Sequence, residues 1–143
     1  TITNSICFSP NKEYAFYTDT ATQKIMRVRL DGDGWPLKDN EIFIDLTKEN
    51  LNPDGSVIDS SGCLWNAQWG ASRVAKYSPE GKFLESINFP ALQVTCPAFG
   101  GEHLKTLFVT SASIDLSNSN QSDGATFAID LKVSGQKEHQ IIL

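Results

Sequence analysis

One pattern recurs three times along the chain and limits it to a narrow set of folds. Ile6-Cys7-Phe8-Ser9-Pro10-Asn11 followed by Tyr14-Ala15-Phe16-Tyr17-Thr18-Asp19 returns as Ser56-Val57-Ile58-Asp59-Ser60-Ser61-Gly62 followed by Leu64-Trp65-Asn66-Ala67-Gln68-Trp69. It returns again as Pro97-Ala98-Phe99-Gly100-Gly101 followed by Leu107-Phe108-Val109-Thr110-Ser111. Each copy reads as an apolar strand, a tight polar turn and a second strand. The spacing, about 50 and then about 40 residues, suits four-stranded propeller blades better than a helical solenoid.

Two further strands complete each copy. Lys24–Leu30 alternates apolar and basic residues with the period of a half-buried strand, and its counterparts are 73–77 and 125–129. Turns follow at 31–34, 78–81 and 130–135, where Asp, Ser or Pro initiates and Gly takes positive φ. The fourth strands are 41–46, 83–87 and 138–143. No helix stands out. The expected fold is therefore all-β: three four-stranded blades, at about 4–46, 54–90 and 96–143, forming half of a six-bladed β-propeller. Three blades alone would leave an open sheet edge and unpartnered faces. The chain also begins at Thr1 rather than Met, so the functional object is expected to need three more blades, from a separate chain or a missing N-terminal segment.

Charge excludes some partners. A net charge of −5 and the absence of any basic run longer than two residues argue against a nucleic-acid or anionic-membrane surface. No apolar stretch has the length of a transmembrane helix, and no signal peptide is visible. Cys7, Cys63 and Cys96 are too scattered for a disulfide framework or zinc knuckle and read as small buried hydrophobes, which suits a reducing cytoplasm.

Polar residues interrupt the strand pattern at matching places. Matching Phe8 to Ile58 equates Asn4 with Asp54, and Thr95 stands at the same place in the third blade. All three precede the innermost strand of a blade, so they would converge near the central channel. Oxygen-bearing side chains gathered this way suit a hard divalent cation, although Asn4 and Pro53-Asp54-Gly55 also make good turns.

Longer segments carry a resemblance. Asn4-Ser5, Ser9-Pro10-Asn11-Lys12, Pro53-Asp54-Gly55, Gly62-Cys63-Leu64-Trp65-Asn66-Ala67 and Trp69-Gly70 resemble the regucalcin (senescence marker protein), gluconolactonase and luciferin-regenerating-enzyme family. So do Arg73-Val74, Thr95 to Gly101 and Leu104 to Ser111, so that the likeness covers nearly the whole chain. It implies the C-terminal half of a six-bladed propeller holding one divalent metal ion, calcium or zinc, with magnesium and manganese as further candidates. The family's asparagine ligand falls on Asn4, where the glycine that follows it has become Ser5, and its aspartate ligand falls on Asp54. The family's glutamate ligand, and the arginine and asparagine of its substrate pocket, have no counterpart here.

The resemblance further implies hydrolysis of a sugar lactone. The metal would polarise the lactone carbonyl, and Asp54 would act as both ligand and general base toward water. Trp69, Thr110 and Ser111, read as lying past the second strands, are candidates for the pocket mouth, and Asp19 for a supporting acid. The competing reading is a non-enzymatic metal-binding or protein-interaction propeller, since one fold hosts many functions. Other features read as structural. Asp31-Gly32-Asp33-Gly34 is a hairpin turn rather than a calcium loop, because Asn40 stands where the loop's final carboxylate belongs. His103 and His139 read as surface residues, and 117–124 as a mobile polar loop. No Gly-x-Ser-x-Gly elbow is present.

Overall fold

A computed structural model describes residues 1–138. Its strands are β1 (Thr3–Phe8), β2 (Tyr14–Asp19), β3 (Lys24–Leu30), β4 (Pro36–Asp45), β5 (Asn52–Ile58), β6 (Leu64–Trp69), β7 (Arg73–Tyr77), β8 (Phe83–Asn88), β9 (Gln93–Gly100), β10 (Thr106–Ala112) and β11 (Thr126–Asp130). They form three antiparallel sheets in sequential order, β1 to β4, β5 to β8 and β9 to β11. The strand expected at 138–143 and His139 fall on or beyond the edge of the described residues. The sole helical piece among the described residues is a 3-10 turn, Thr20–Thr22.

Alternation explains how the sheets stack. On β2, Phe16 and Thr18 are buried while their neighbours are part-exposed, as a strand with one covered face requires. Phe16, Ile25, Ile44 and Leu46 of the first sheet pack on Ile58, Leu64, Ala75 and Tyr77 of the second. The opposite face of the second sheet, with Val57, Trp65, Ala67 and Val74, meets Val94, Leu107 and Val109 of the third. Trp65 and Phe99 close that seam edge to face at 6.0 Å. The first strands touch in series, β1 on β5 and β5 on β9, so they line one side of a common axis.

A buried carboxylate secures the middle hairpin. Asp59 is fully buried and accepts from the backbone amides of Ser61 and Cys63 and from the Trp65 indole at 2.9 Å. The Lys76 ammonium, 3.9 Å from Asp59, lies over the Trp65 ring.

Four local expectations change. Pro53-Asp54-Gly55 is a bulged part of β5, not a turn: its pairing with β6 lapses between Pro53 and Ser56. The same slip occurs in β1 between Asn4 and Cys7, and in β9 at Thr95. Proline, which lacks a donor, and glycine, which has no side chain, are at home in such bulges. Cys7 and Cys63 are buried as expected, but Cys96 is exposed, because the slip at Thr95 turns it with Thr110 onto the open face. Thr110 and Ser111 lie within β10, not past it. Finally, the 117–124 loop is anchored: Asp123 accepts from Leu92 N, and Asn120 donates to Pro90 O.

Candidate metal and substrate pocket

The bulges bring the two principal candidates together. Asn4 of β1 and Asp54 of β5 line one cavity of about 450 Å³ with Ile2, Thr20, Ala21, Asn52 and Trp69. Three strands and the 3-10 turn contribute, so the cavity spans the seam between the first two sheets. A larger hollow, about 590 Å³, sits among the hairpin turns around Lys12, Arg29, Asp31 and Asp33, away from the axis strands.

Hydrogen bonding orients Asn4. Thr20 Oγ1 donates to Pro53 O at 2.7 Å, so its lone pairs are what face the Asn4 amide. Asn4 Nδ2 therefore donates to Thr20 Oγ1, at 2.9 Å. Asn4 Oδ1 has no hydrogen-bond partner among the described residues and is left for the cavity. Thr20 thus fixes the amide and ties the first sheet to the second. Sequence reasoning missed it, because a threonine after a strand end carries no signal until its two partners are known.

Asp54 is electrostatically primed. Burial pushes its carboxyl up to about 6, opposed by the Gly55 amide, which hydrogen-bonds the carboxylate. No side chain among the described residues donates to it. A part-buried carboxylate with so little compensation, beside a free amide oxygen, is a donor set that fits a hard divalent cation. These are two ligands only: among the described residues no cluster of three His, Cys, Asp or Glu could enclose a metal.

The remaining candidates separate. Trp69 ends β6, is part-exposed and supplies an apolar wall to the cavity with Ile2. Asp19 lies outside the cavity lining, where its carboxylate accepts from Ile2 N and Ala21 N. Thr110 also lies outside it, exposed on β10 with its hydroxyl 2.7 Å from that of Thr95. Although Cys96 is exposed as a residue, its sulfur lies against Gly55, and the loss of water there raises the thiol, with the Asp54 charge adding to the effect.

Three stacked antiparallel sheets whose first strands touch in series define half of a β-propeller, with the cavity of Asn4 and Asp54 between the first two sheets. The profile of the SMP-30/Gluconolactonase/LRE-like region matches residues 1–113, and the chain belongs to that family. It is 38% identical over 143 residues to a putative sugar lactone lactonase of Rhizobium meliloti, covering 96% of this chain and 49% of that protein. It is 36% identical over 141 residues to the 6-deoxy-6-sulfogluconolactonase of Pseudomonas putida, covering 96% and 48%. The crystal structure of a calcium-binding protein, regucalcin, from Agrobacterium tumefaciens superposes with a TM-score of 0.94 at 39% identity, over 99% of this chain and 50% of that one. The chain thus spans about half the length of these relatives.

Proposed function

We propose that the chain carries part of the active site of a metal-dependent sugar lactonase, with Asn4 and Asp54 as two ligands of one divalent cation. The observation that carries this reading is the shared cavity in which Asn4 Oδ1 and the Asp54 carboxylate both stand uncommitted to any side chain. Kinship with lactonases of Rhizobium meliloti and Pseudomonas putida supports the reaction class, and kinship with a calcium-binding regucalcin supports calcium as the leading candidate, with zinc, magnesium and manganese as alternatives. The remaining ligands and pocket residues come from three further blades, on a separate chain or an adjoining segment, this chain being the C-terminal half. A cytoplasmic setting, expected from the scattered cysteines, belongs to the same reading.

A divalent cation in this cavity would supply Lewis-acid polarisation of the lactone carbonyl. The chain's own residues account for the rest. Thr20 holds the Asn4 amide so that its oxygen, not its nitrogen, faces the cavity. Asp54 takes a proton from the attacking water onto the carboxylate oxygen not engaged in ligation, a general-base role worth about 10²–10⁴-fold. Trp69, with Ile2, offers apolar surface to the sugar ring.

Hydrolysis of aldonolactones, followed as acid release, tests the reading. Activity is expected to vanish on chelation and return on adding a divalent cation, while Asp54→Asn stays inactive throughout. Full activity in excess chelator would refute the metal role, and no hydrolysis with any added cation would favour a binding propeller.

A further inference from the structure

The segment that presents Asp54 is held by a side chain outside the cavity. Where the β5 to β6 ladder lapses, Asn66 of β6 reaches into the gap. It is fully buried, and its Nδ2 lies 3.0 Å from Ser56 Oγ, 3.2 Å from Asp54 O, 3.3 Å from Gly55 O and 3.4 Å from Ser5 Oγ. Backbone carbonyls only accept, so the nitrogen must be the atom facing the bulge. From β1, Ser5 Oγ donates to the same Asp54 carbonyl and stands 2.8 Å from Ser56 Oγ. The peptide following Asp54 is thereby gripped from both neighbouring strands.

This grip has a cost. Asn66 Oδ1 is the sole buried side-chain polar atom among the described residues without a hydrogen-bond partner. Burying an unpaired acceptor is unfavourable. An alanine or leucine here would avoid that penalty but would leave two carbonyls of the bulge without the amide. Retaining an asparagine is understandable if the conformation of the bulge, rather than stability of the sheet, is what it secures.

The geometry points to Asn66 as a positioning residue that, through the Asp54–Gly55 backbone, fixes where the Asp54 carboxylate stands; this deepens the lactonase reading and rests on it. Asn66 touches neither cation nor substrate and acts through the peptide it holds. Residues that orient metal ligands in this manner change metal affinity by about 10–100-fold when replaced.

The test compares Asn66→Leu, close in volume but without donors, with Val74→Ala, a core change in the same sheet away from the bulge. Amide hydrogen exchange is read without cation, and Mn²⁺ affinity by titration. Exchange at Gly55 and Ser56 is expected to accelerate at least about tenfold in Asn66→Leu while β7 amides stay protected. Mn²⁺ affinity is expected to fall about tenfold or more. Val74→Ala should loosen the sheet evenly and leave Mn²⁺ affinity as it was. Even loosening in Asn66→Leu, or unchanged Mn²⁺ affinity, would overturn the inference. Selective loosening in a protein whose parent takes up no Mn²⁺ would uphold the grip on the bulge and refute the metal reading instead.

Discussion

Replacing Gly55 by alanine probes a close approach between the second and third sheets. A Cβ at this position would stand 2.7 Å from Cys96 Sγ, 2.8 Å from Thr95 O and 2.9 Å from Cys96 Cα. Two of these three atoms belong to the β9 backbone, which cannot swing aside as a side-chain tip can. Overpacking of this kind costs about 1–3 kcal/mol, and backbone contacts place Gly55→Ala near the upper end. Lower freedom of the unfolded alanine chain returns about 0.4–1 kcal/mol, leaving a net loss of about 2 kcal/mol. At about 3 °C per kcal/mol for a domain of this size, Tm should fall about 6 °C by circular dichroism or calorimetry. Gly32 is the control, since a Cβ there meets nothing within 4 Å, and Gly32→Ala should raise Tm by about 1–3 °C rather than lower it. Adding Cys96→Ala should recover only part of the loss, because the two backbone contacts persist. A Gly55→Ala protein melting within a degree of the parent, or full recovery by Cys96→Ala, would refute the close approach.

Further predictions follow from individual side chains. Because burial raises the Asp54 pKa to about 6, its contribution to stability is full below the unfolded value near 4 and is lost as pH rises through 6. Without cation, Asp54→Asn should therefore melt higher than the parent at pH 7.5 and equally at pH 4; the full linkage of about 3 kcal/mol shrinks to about 1 kcal/mol for a part-exposed group. Thr20→Val should leave the circular dichroism spectrum unchanged but weaken divalent-cation binding about tenfold or more by freeing the Asn4 amide, as titration would reveal. Asp59→Ala should lose about 3–5 kcal/mol in denaturant unfolding, since it strips two amides, the Trp65 indole and Lys76 of a buried acceptor.

The sequence made the sheets legible where one face is covered. β2 and β3 match their expected bounds because Phe16 and Ile25 sit in alternating stretches, and β6 matches because its short run, buried on both faces, ends at turn residues. β4 begins at Pro36 rather than Glu41, since its first half is exposed on both sides and carries no alternation to read. Pro53-Asp54-Gly55 has turn composition, yet the residues that make turns also make bulges, and only the pairing with β6 distinguishes them. The cavity was legible through Asn4, Asp54 and Trp69. Thr20 and Asn66 were not, because their roles rest on partners at distant positions such as Pro53 and Ser5.

The central claim is that Asn4 and Asp54 jointly hold a divalent cation. Anomalous diffraction from crystals grown with Mn²⁺ addresses it directly. The account predicts one ordered peak within metal–oxygen bonding distance, about 2.0–2.6 Å, of both Asn4 Oδ1 and an Asp54 carboxylate oxygen. An ordered peak elsewhere, with Asn4 and Asp54 bound only to water, would contradict it.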